Sequence, residues 1–223
     1  VLIIGVGDGG MAREALRWKS VTHVTMIEID AGVVEFSKTY LSGISDGAFD
    51  DPRLSLVIAD GAAFVATCTD RFDVIIVDST DPIGPGEVLF SDTFYGRAKG
   101  LLNEGGILVT QNGVPFMQAQ ELTNTMRAFK ALFADWTCYM ATIPTYAGGP
   151  MAFGWGALDA GPRATPLRAL EARWAATGIE TRYFTTEVAK AAFALPVYVK
   201  SLLPGGLSPG AANWRLTSVA RPS

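Results

Sequence analysis

The sequence has 223 residues, 49% hydrophobic and 18% charged, which is enough apolar material for one sizeable core. A formal net charge of −4 argues against binding to a phosphate backbone, because nucleic-acid binders need clustered cations. No apolar run approaches the roughly 18 residues of a membrane span, and no secretion signal opens the chain, so we expect a cytoplasmic protein with no membrane partner.

The cysteine and histidine content points away from metal chemistry. Cys68 and Cys138 lie far apart without metal-ligand spacing, so both are predicted to be free, buried thiols. His23 is the single histidine, which makes a His-based metal site or a Ser-His triad improbable. We therefore predict no metal site.

The apolar pattern predicts alternating strands and helices. Short, nearly continuous apolar runs at residues 1–4, 24–27, 54–58, 72–77 and 106–110 are typical of strands buried on both faces. Helical spacing marks residues 11–18, 91–102 and 118–133, and Asp30 is placed to cap a helix whose Val33, Val34, Phe36 and Tyr40 face the core. This alternation predicts an α/β fold with a doubly wound, Rossmann-like and mostly parallel sheet.

The later part of the chain changes character. Residues 136–143 and 151–158 read as strands joined by a turn too short for a parallel crossover, so they predict an antiparallel edge hairpin. Helical segments follow near residues 166–177 and 186–203. We expect one domain over residues 1–203 and leave the tail over residues 204–223 unassigned.

A glycine-rich loop follows the first predicted strand. Gly5-Val6-Gly7-Asp8-Gly9-Gly10 satisfies the G-x-G-x-x-G pattern between a strand and a helix, which favours a nucleotide site. Glu28 ends the second strand about 18 residues further on, where a carboxylate can accept from both ribose hydroxyls. A glycine turn that serves helix packing is the alternative.

Asp8 narrows the choice of nucleotide. Its carboxylate would sit beside any pyrophosphate on the helix N-terminus, and like charges at that range cost about 4 kcal/mol even at an effective dielectric near 20. This disfavours NAD and FAD. An adenosine attached to a cation, such as a sulfonium or an ammonium, fits better.

Further polar side chains follow the third, fourth and fifth strands, where open α/β sheets place their ligands. These positions are Asp60, Asp78, Asp81 and Gln111. The alternatives are that Asp60 caps a helix and that Asp81 starts a turn before Pro82. Asp78 ends a fully apolar strand, where an unpaired charge is expensive.

Taken in order, these segments resemble the signatures of the spermidine synthase (polyamine aminopropyltransferase) family. The segments lie at residues 1–10, 28–30, 47–53, 60–61, 78–85 and 143–146, and the match continues through residues 192–196. Asp-Ser-Thr-Asp-Pro followed by Pro-Thr-Tyr is the specific combination. Val6 departs from the pattern, since the family usually has a third consecutive glycine there.

The resemblance implies a role for each matching position in aminopropyl transfer from decarboxylated S-adenosylmethionine, a co-substrate, to putrescine. Glu28 would hold the ribose, Asp60 the adenine amino group and Asp8 the amino end of the aminopropyl chain. Asp78 and Tyr146 would be catalytic, and Asp81, Gln111 and Tyr146 would bind putrescine. The donor site would also include Gly5, Gly7, Gly9, Ile29, Gly61 and Pro85. Residues 83–88 would form a lid, unless they are an ordinary surface loop.

The resemblance also implies a dimer or larger assembly and a small β-rich domain ahead of the first strand. Residue 1 already lies in an apolar run, so we expect a fragment. If the molecule lacks that domain, we expect an intact donor site with weakened amine binding and turnover. Two other functions stay open: an S-adenosylmethionine-dependent methyltransferase and a catalytically impaired nucleotide-binding module. The amine acceptor also stays open at this point.

Overall fold

The computed structural model describes residues 1–78 and 84–206, apart from the side chain of Pro85. Its centre is a seven-stranded sheet in the order β3-β2-β1-β4-β5-β7-β6. The strands are β1 (Leu2–Gly5), β2 (Val24–Glu28), β3 (Leu54–Ile58), β4 (Phe72–Asp78), β5 (Leu102–Gln111), β6 (Asp135–Ala141) and β7 (Met151–Ala157). The predicted α/β fold class is confirmed.

Strands β1 to β5 pair in parallel, as crossovers through helices require. Strand β7 lies between β5 and β6 and runs antiparallel to both, so the predicted antiparallel hairpin is confirmed, with β6 as the outer strand. Strand β6 therefore points the same way as β5. The β6–β7 loop consequently opens at the carboxyl edge of the parallel strands.

The described helices cover both faces of this sheet. They are α1 (Gly10–Leu16), α2 (Ala31–Tyr40), α3 (Ser42–Ser45), α4 (Gly61–Thr67), α5 (Asp92–Gly100), α6 (Ala119–Leu132), α7 (Gly161–Ala164), α8 (Leu167–Ala175), α9 (Thr186–Ala191) and α10 (Val197–Lys200). Two 3-10 segments lie at Ala48–Asp50 and Gly84–Phe90. Within the described residues, no helix is long and apolar enough to cross a bilayer.

Alternate residues of β1 supply two separate cores. Leu2 and Ile4 join a large cluster with α4, α5 and α6, whereas Ile3 joins a smaller cluster with α1. This follows from the two-residue period of a strand, which sends successive side chains to opposite faces. Strand β1 is therefore packed on both faces, which fixes the position of its carboxyl end.

The expectation that four apolar side chains of α2 face the core is wrong. Val34 is buried, but Val33, Phe36 and Tyr40 are 44%, 56% and 71% exposed. The sheet ends one strand away at β3, so α2 has a narrow surface to pack on. Phe36 and Tyr40 instead contact each other, with ring centroids 4.9 Å apart.

Two further expectations need correction. Strand β3 is not buried on both faces, because it is the edge strand and leaves Ile58 47% exposed. The predicted helix over residues 186–203 divides into α9 and α10, since Pro196 disfavours helical backbone at Leu195. Both cysteines are free, but Cys68 is only partly buried, while Cys138 is buried.

Candidate active site

The glycine-rich loop joins β1 to α1 through backbone of positive φ. Gly5 has φ 92°, Val6 63° and Gly9, the N-cap of α1, 77°. The Gly9 amide donates to the Val6 carbonyl at 3.1 Å, and the Gly10 amide donates to Asp8 Oδ1 at 2.7 Å. The Asp8 carboxylate is thus held at the entrance of the helix.

Glu28 lies directly beside this loop. A Cβ atom on Gly7 would come within 2.6 Å of Val33 Cγ1 and 3.0 Å of Glu28 Oε2, so only glycine fits there. Glu28 is 8% exposed, and its Oε1 accepts from the Asp30 amide at 3.0 Å. The next residue, Ile29, is 56% exposed and presents an apolar surface next to the carboxylate.

Asp60 caps helix α4, which is the structural role that the sequence offered as an alternative to ligand binding. Its Oδ1 accepts from the amides of Ala62 and Ala63 at 2.7 and 3.0 Å. Gly61 begins the helix, and a Cβ there would lie 2.5 Å from Ile4 Cγ2. The contact of Asp60 with an adenine amino group stays a prediction.

Asp78 ends β4 directly opposite Gly5 of β1. Burial raises the pKa of the Asp78 carboxyl above its ordinary value, and the nearby charge of Asp8 raises it further. The fold therefore brings together two of the carboxylates that the sequence placed far apart. No counter-ion to Asp78 is present among residues 1–78 and 84–206.

Gln111 ends β5 and is 8% exposed. Its Oε1 is buried without a hydrogen-bond partner in the described part of the chain. An acceptor oxygen left in this state costs free energy, so it is a natural position for a ligand that donates a hydrogen. An ammonium group supplies three such donors.

A buried network beside Gln111 was missed by the sequence analysis. Asn112 accepts from Thr110 Oγ1 and the Gly154 amide at 2.8 and 2.9 Å, and it donates to Thr125 Oγ1 at 2.8 Å. Thr125 also bonds the buried Tyr95 hydroxyl at 3.0 Å. The network ties β5, β7, α5 and α6 together. Two consecutive amides ending an apolar strand were the available signal.

A second group missed from sequence lies along the same row of the sheet. Gln111 pairs with Phe153, which pairs with Tyr139 on β6, so the three side chains share one face. The Phe153 and Tyr139 rings stack at 5.2 Å. Burial, and then the charge of Asp78, raise the pKa of Tyr139 to about 12, which marks an electrostatic link to that carboxylate. Only the cross-strand register reveals this link.

The remaining predicted positions are less informative. Tyr146 lies in the β6–β7 loop, 55% exposed, and its amide donates to the Ile143 carbonyl at 3.0 Å. Its side chain makes no hydrogen bond to the acidic groups within residues 1–78 and 84–206. Asp81 lies outside the described residues, as does the side chain of Pro85, so the expected lid over residues 83–88 is described only as a 3-10 segment.

The fold and the site define a Rossmann-like domain with a glycine-rich loop after the first strand, an acidic residue at the end of the second, and clustered carboxylates at one edge. Residues 1–161 match the family described as spermine/spermidine synthase domain. A polyamine aminopropyltransferase of a Ruegeria species is 69% identical over 204 residues, covering 92% of this chain and 72% of that protein. Polyamine aminopropyltransferase 1 of Pseudomonas aeruginosa is 58% identical over 199 residues, covering 89% and 70%.

Solved structures agree with these relatives. A crystal structure of spermidine synthase in complex with the transition-state analogue AdoDATO superposes with a TM-score of 0.84 at 35% identity, covering 91% of this chain and 68% of that one. Spermidine synthase from Thermotoga maritima gives 0.82 at 34% identity, covering 91% and 67%. The chain belongs to the spermine/spermidine synthase family, and it is a transferase domain of the aminopropyltransferase type.

The strained backbone at Val6 allows a stability test. A non-glycine residue at positive φ costs about 1–2 kcal/mol, so we expect Val6→Gly to be more stable than Val6→Ala by about 1 kcal/mol. Urea unfolding of both variants measures the difference. Ala172, which is exposed on α8, is the control position. There glycine should be less favourable than alanine, so Ala172→Gly should be less stable than the parent protein. A more stable Val6→Ala would contradict the strain.

The raised pKa of Asp78 predicts in which direction the stability of the protein changes with pH. Between the ordinary and the raised pKa the native state binds more protons than the unfolded chain, so stability falls as pH rises through that window. Asp78→Asn should therefore be more stable than the parent at about pH 7, with the gap closing towards about pH 4. Asp70→Asn, on an exposed residue, is the control and should show no such pH-dependent gap. A destabilised Asp78→Asn at neutral pH would be the opposite result.

Proposed function

We propose that this chain transfers an aminopropyl group from decarboxylated S-adenosylmethionine to putrescine, which gives spermidine and methylthioadenosine. One observation carries the proposal: Asp8 and Asp78 lie together beside the nucleotide loop, without a cation among the described residues to neutralise Asp78. Two carboxylates so close together, one of them buried without a counter-ion, cost free energy in the protein alone. They become favourable when a cationic ligand occupies the site.

The donor would lie across the carboxyl ends of β1, β2 and β3. Glu28 would accept from the ribose hydroxyls, with Ile29 against the adenine and Asp60 at its amino group. Asp8, at the entrance of α1, would bind the amino end of the aminopropyl chain. The positions of Glu28 beside Gly7 and of Asp8 above Gly10 support this arrangement.

The acceptor would lie between Asp78 and Gln111, with Asp81 and Tyr146 as further contacts. Putrescine is a dication near pH 7, and only a neutral amine can attack carbon. Asp78 would accept the proton from the attacking nitrogen, and its raised pKa makes it a stronger base than an ordinary Asp. The new N–C bond forms as the C–S bond breaks, and the bonding electron pair stays on sulfur.

The same charges favour one donor over its carboxylated parent. Intact S-adenosylmethionine carries a carboxylate, which would meet Asp8 and Asp78 at short range, whereas the decarboxylated donor presents only an ammonium. This repulsion is the reason to prefer aminopropyl transfer over methyl transfer. The names of the relatives agree, since both are polyamine aminopropyltransferases.

Several properties stay predictions of this proposal. The donor is a co-substrate, so no tightly bound cofactor is expected. A cytoplasmic location, a dimer or larger assembly, and the division into residues 1–203 and 204–223 also belong here. The binding roles of the polar residues are predictions as well, as are those of Gly5, Gly7, Gly9, Gly61 and Pro85.

Product analysis tests the function directly. Purified protein is incubated with putrescine and each donor in turn, and the nucleoside product is identified by mass spectrometry. We expect methylthioadenosine and spermidine from the decarboxylated donor, and a loss of at least about 10²-fold in rate for Asp78→Asn. Asp70→Asn should keep the parental rate. S-adenosylhomocysteine from the intact donor would instead establish methyl transfer.

The unpartnered oxygen of Gln111 gives a second test. Gln111→Met keeps the length of the side chain and removes the buried acceptor, so stability should be unchanged or higher. Amine binding should weaken about tenfold, seen as a higher KM for putrescine with an unchanged KM for the donor. Gln120→Met, on the surface of α6, is the matched control for both measurements. An unchanged KM for putrescine would remove Gln111 from the amine site.

A further inference from the structure

Three consecutive buried polar side chains lie at the end of strand β5. Thr110, Gln111 and Asn112 are 1%, 8% and 0% exposed. Because successive side chains of a strand point to opposite faces of the sheet, Thr110 and Asn112 share one face and Gln111 lies on the other. The Thr110 hydroxyl accordingly donates to Asn112 Oδ1 at 2.8 Å, whereas Gln111 Oε1 has no hydrogen-bond partner within the described residues. One face of this strand end is a closed network, and the other carries an acceptor for a ligand.

The Asn112 side chain is held by bonds to a strand and a helix. Its Oδ1 also accepts from the Gly154 amide of β7 at 2.9 Å, and its Nδ2 donates to Thr125 Oγ1 of α6 at 2.8 Å. Two donors on the oxygen polarise the amide group, which strengthens the bond from its nitrogen. A Cβ atom on Gly154 would lie 2.8 Å from Asn112 Oδ1, so β7 comes this close only because that residue is glycine.

The backbone around Asn112 is fixed as well. Its amide donates to the Ala152 carbonyl at 3.0 Å, and the Ala152 amide donates to the Gly113 carbonyl at 2.8 Å. These two bonds continue the pairing of β5 with β7 beyond Gln111. The Gln111 side chain therefore leaves the strand in a fixed direction, on the face that it shares with its cross-strand partner Phe153.

Thr125 connects this strand end to a second helix. Its hydroxyl lies 3.0 Å from the Tyr95 hydroxyl of α5, and both residues are completely buried. The Tyr95 ring packs edge-on against Phe129 of α6 at 5.1 Å, which fixes the far end of the network. Since Thr125 bonds Asn112 on the face opposite Gln111, an effect of Thr125 on a bound amine passes through Asn112.

We propose that Asn112 and Thr125 are positioning residues for amine binding, which set the orientation of the Gln111 side chain and of its acceptor oxygen. This inference rests on the proposed function for the identity of the ligand. An acceptor that is already oriented loses little conformational freedom when an ammonium group binds. The network on one face of the sheet thereby contributes to affinity on the other.

Thr125→Val tests the proposal, because it keeps the shape of the side chain and removes the acceptor for Asn112 Nδ2. We expect the KM for putrescine to rise about fivefold to tenfold, with the KM for the donor unchanged and kcat within about twofold. Thr125→Ser keeps the hydroxyl and should restore the parental KM. Thr123→Val is the matched control on the same helix, since the Thr123 hydroxyl bonds the Ala119 carbonyl of its own helix.

The Gln111 side-chain amide gives a second readout that does not require activity. In isotope-labelled protein, its pair of NMR signals is the pair that is absent from Gln111→Met. We expect a single sharp pair in the parent and in Thr123→Val, and a shifted, broadened pair in Thr125→Val, because the side chain then samples several rotamers. Unchanged Gln111 signals in a folded Thr125→Val protein, or an equal rise in the putrescine KM of Thr123→Val, would overturn the proposal.

Tyr95→Phe is the second variant and takes the place of Thr125→Val if that protein does not fold. It keeps the packing of the ring and removes the hydroxyl at the far end of the network, so the Gln111 signals should shift in the same direction by a smaller amount. Unchanged Gln111 signals in Tyr95→Phe would then overturn the proposal. Absence of putrescine turnover from the parent protein would refute the proposed reaction, while the Gln111 signals would still decide whether the network positions that side chain.

Discussion

The buried carboxylate of Asp78, close to the charge of Asp8, is the constraint on which the site depends. Strand β1 places Gly5 opposite Asp78, and the loop that follows brings Asp8 close enough for its charge to act on that carboxyl group. Burial of Asp78, and then the charge of Asp8, destabilise the ionised carboxylate in the native protein, which the raised pKa of Asp78 expresses. In the proposed function, a cationic nucleoside and an amine would turn that cost into binding. The stability of the fold and its proposed chemistry are therefore coupled at one pair of side chains.

Such a pair must be held by rigid surroundings, because relaxation would separate the charges. Strand β1 is buried on both faces, and the Asn112 network fixes the end of β5 against β7 and α6. Each polar atom of that network has a partner, whereas the adjacent Gln111 Oε1 has none among the described residues. The Asn112 amide is therefore part of the structural network, whereas the Gln111 oxygen can still accept a hydrogen bond.

The order of elements could be predicted from sequence because apolar runs and helical spacing are local signals. The positions of the glycine-rich loop, Glu28 and Asp78 at one edge of the sheet could be predicted for the same reason, since strand ends of a parallel sheet meet there. Outward placement of Phe36 and Tyr40 could not be predicted, because it depends on the sheet ending at β3. Tyr139 was missed because its contact with the site passes through the pairing of β5, β7 and β6, which no local pattern reports.

The insertion of β7 between β5 and β6 has a consequence for the order of assembly. Strands β6 and β7 are joined by a short loop and can pair early, but β7 reaches β5 only by closing a loop of about forty residues. That docking brings Phe153 to Gln111 and the Gly154 amide to Asn112. The half of the sheet from β3 to β4 contains none of these late contacts. We expect this half, which carries the glycine-rich loop and Glu28, to become ordered before the edge around Gln111 is formed.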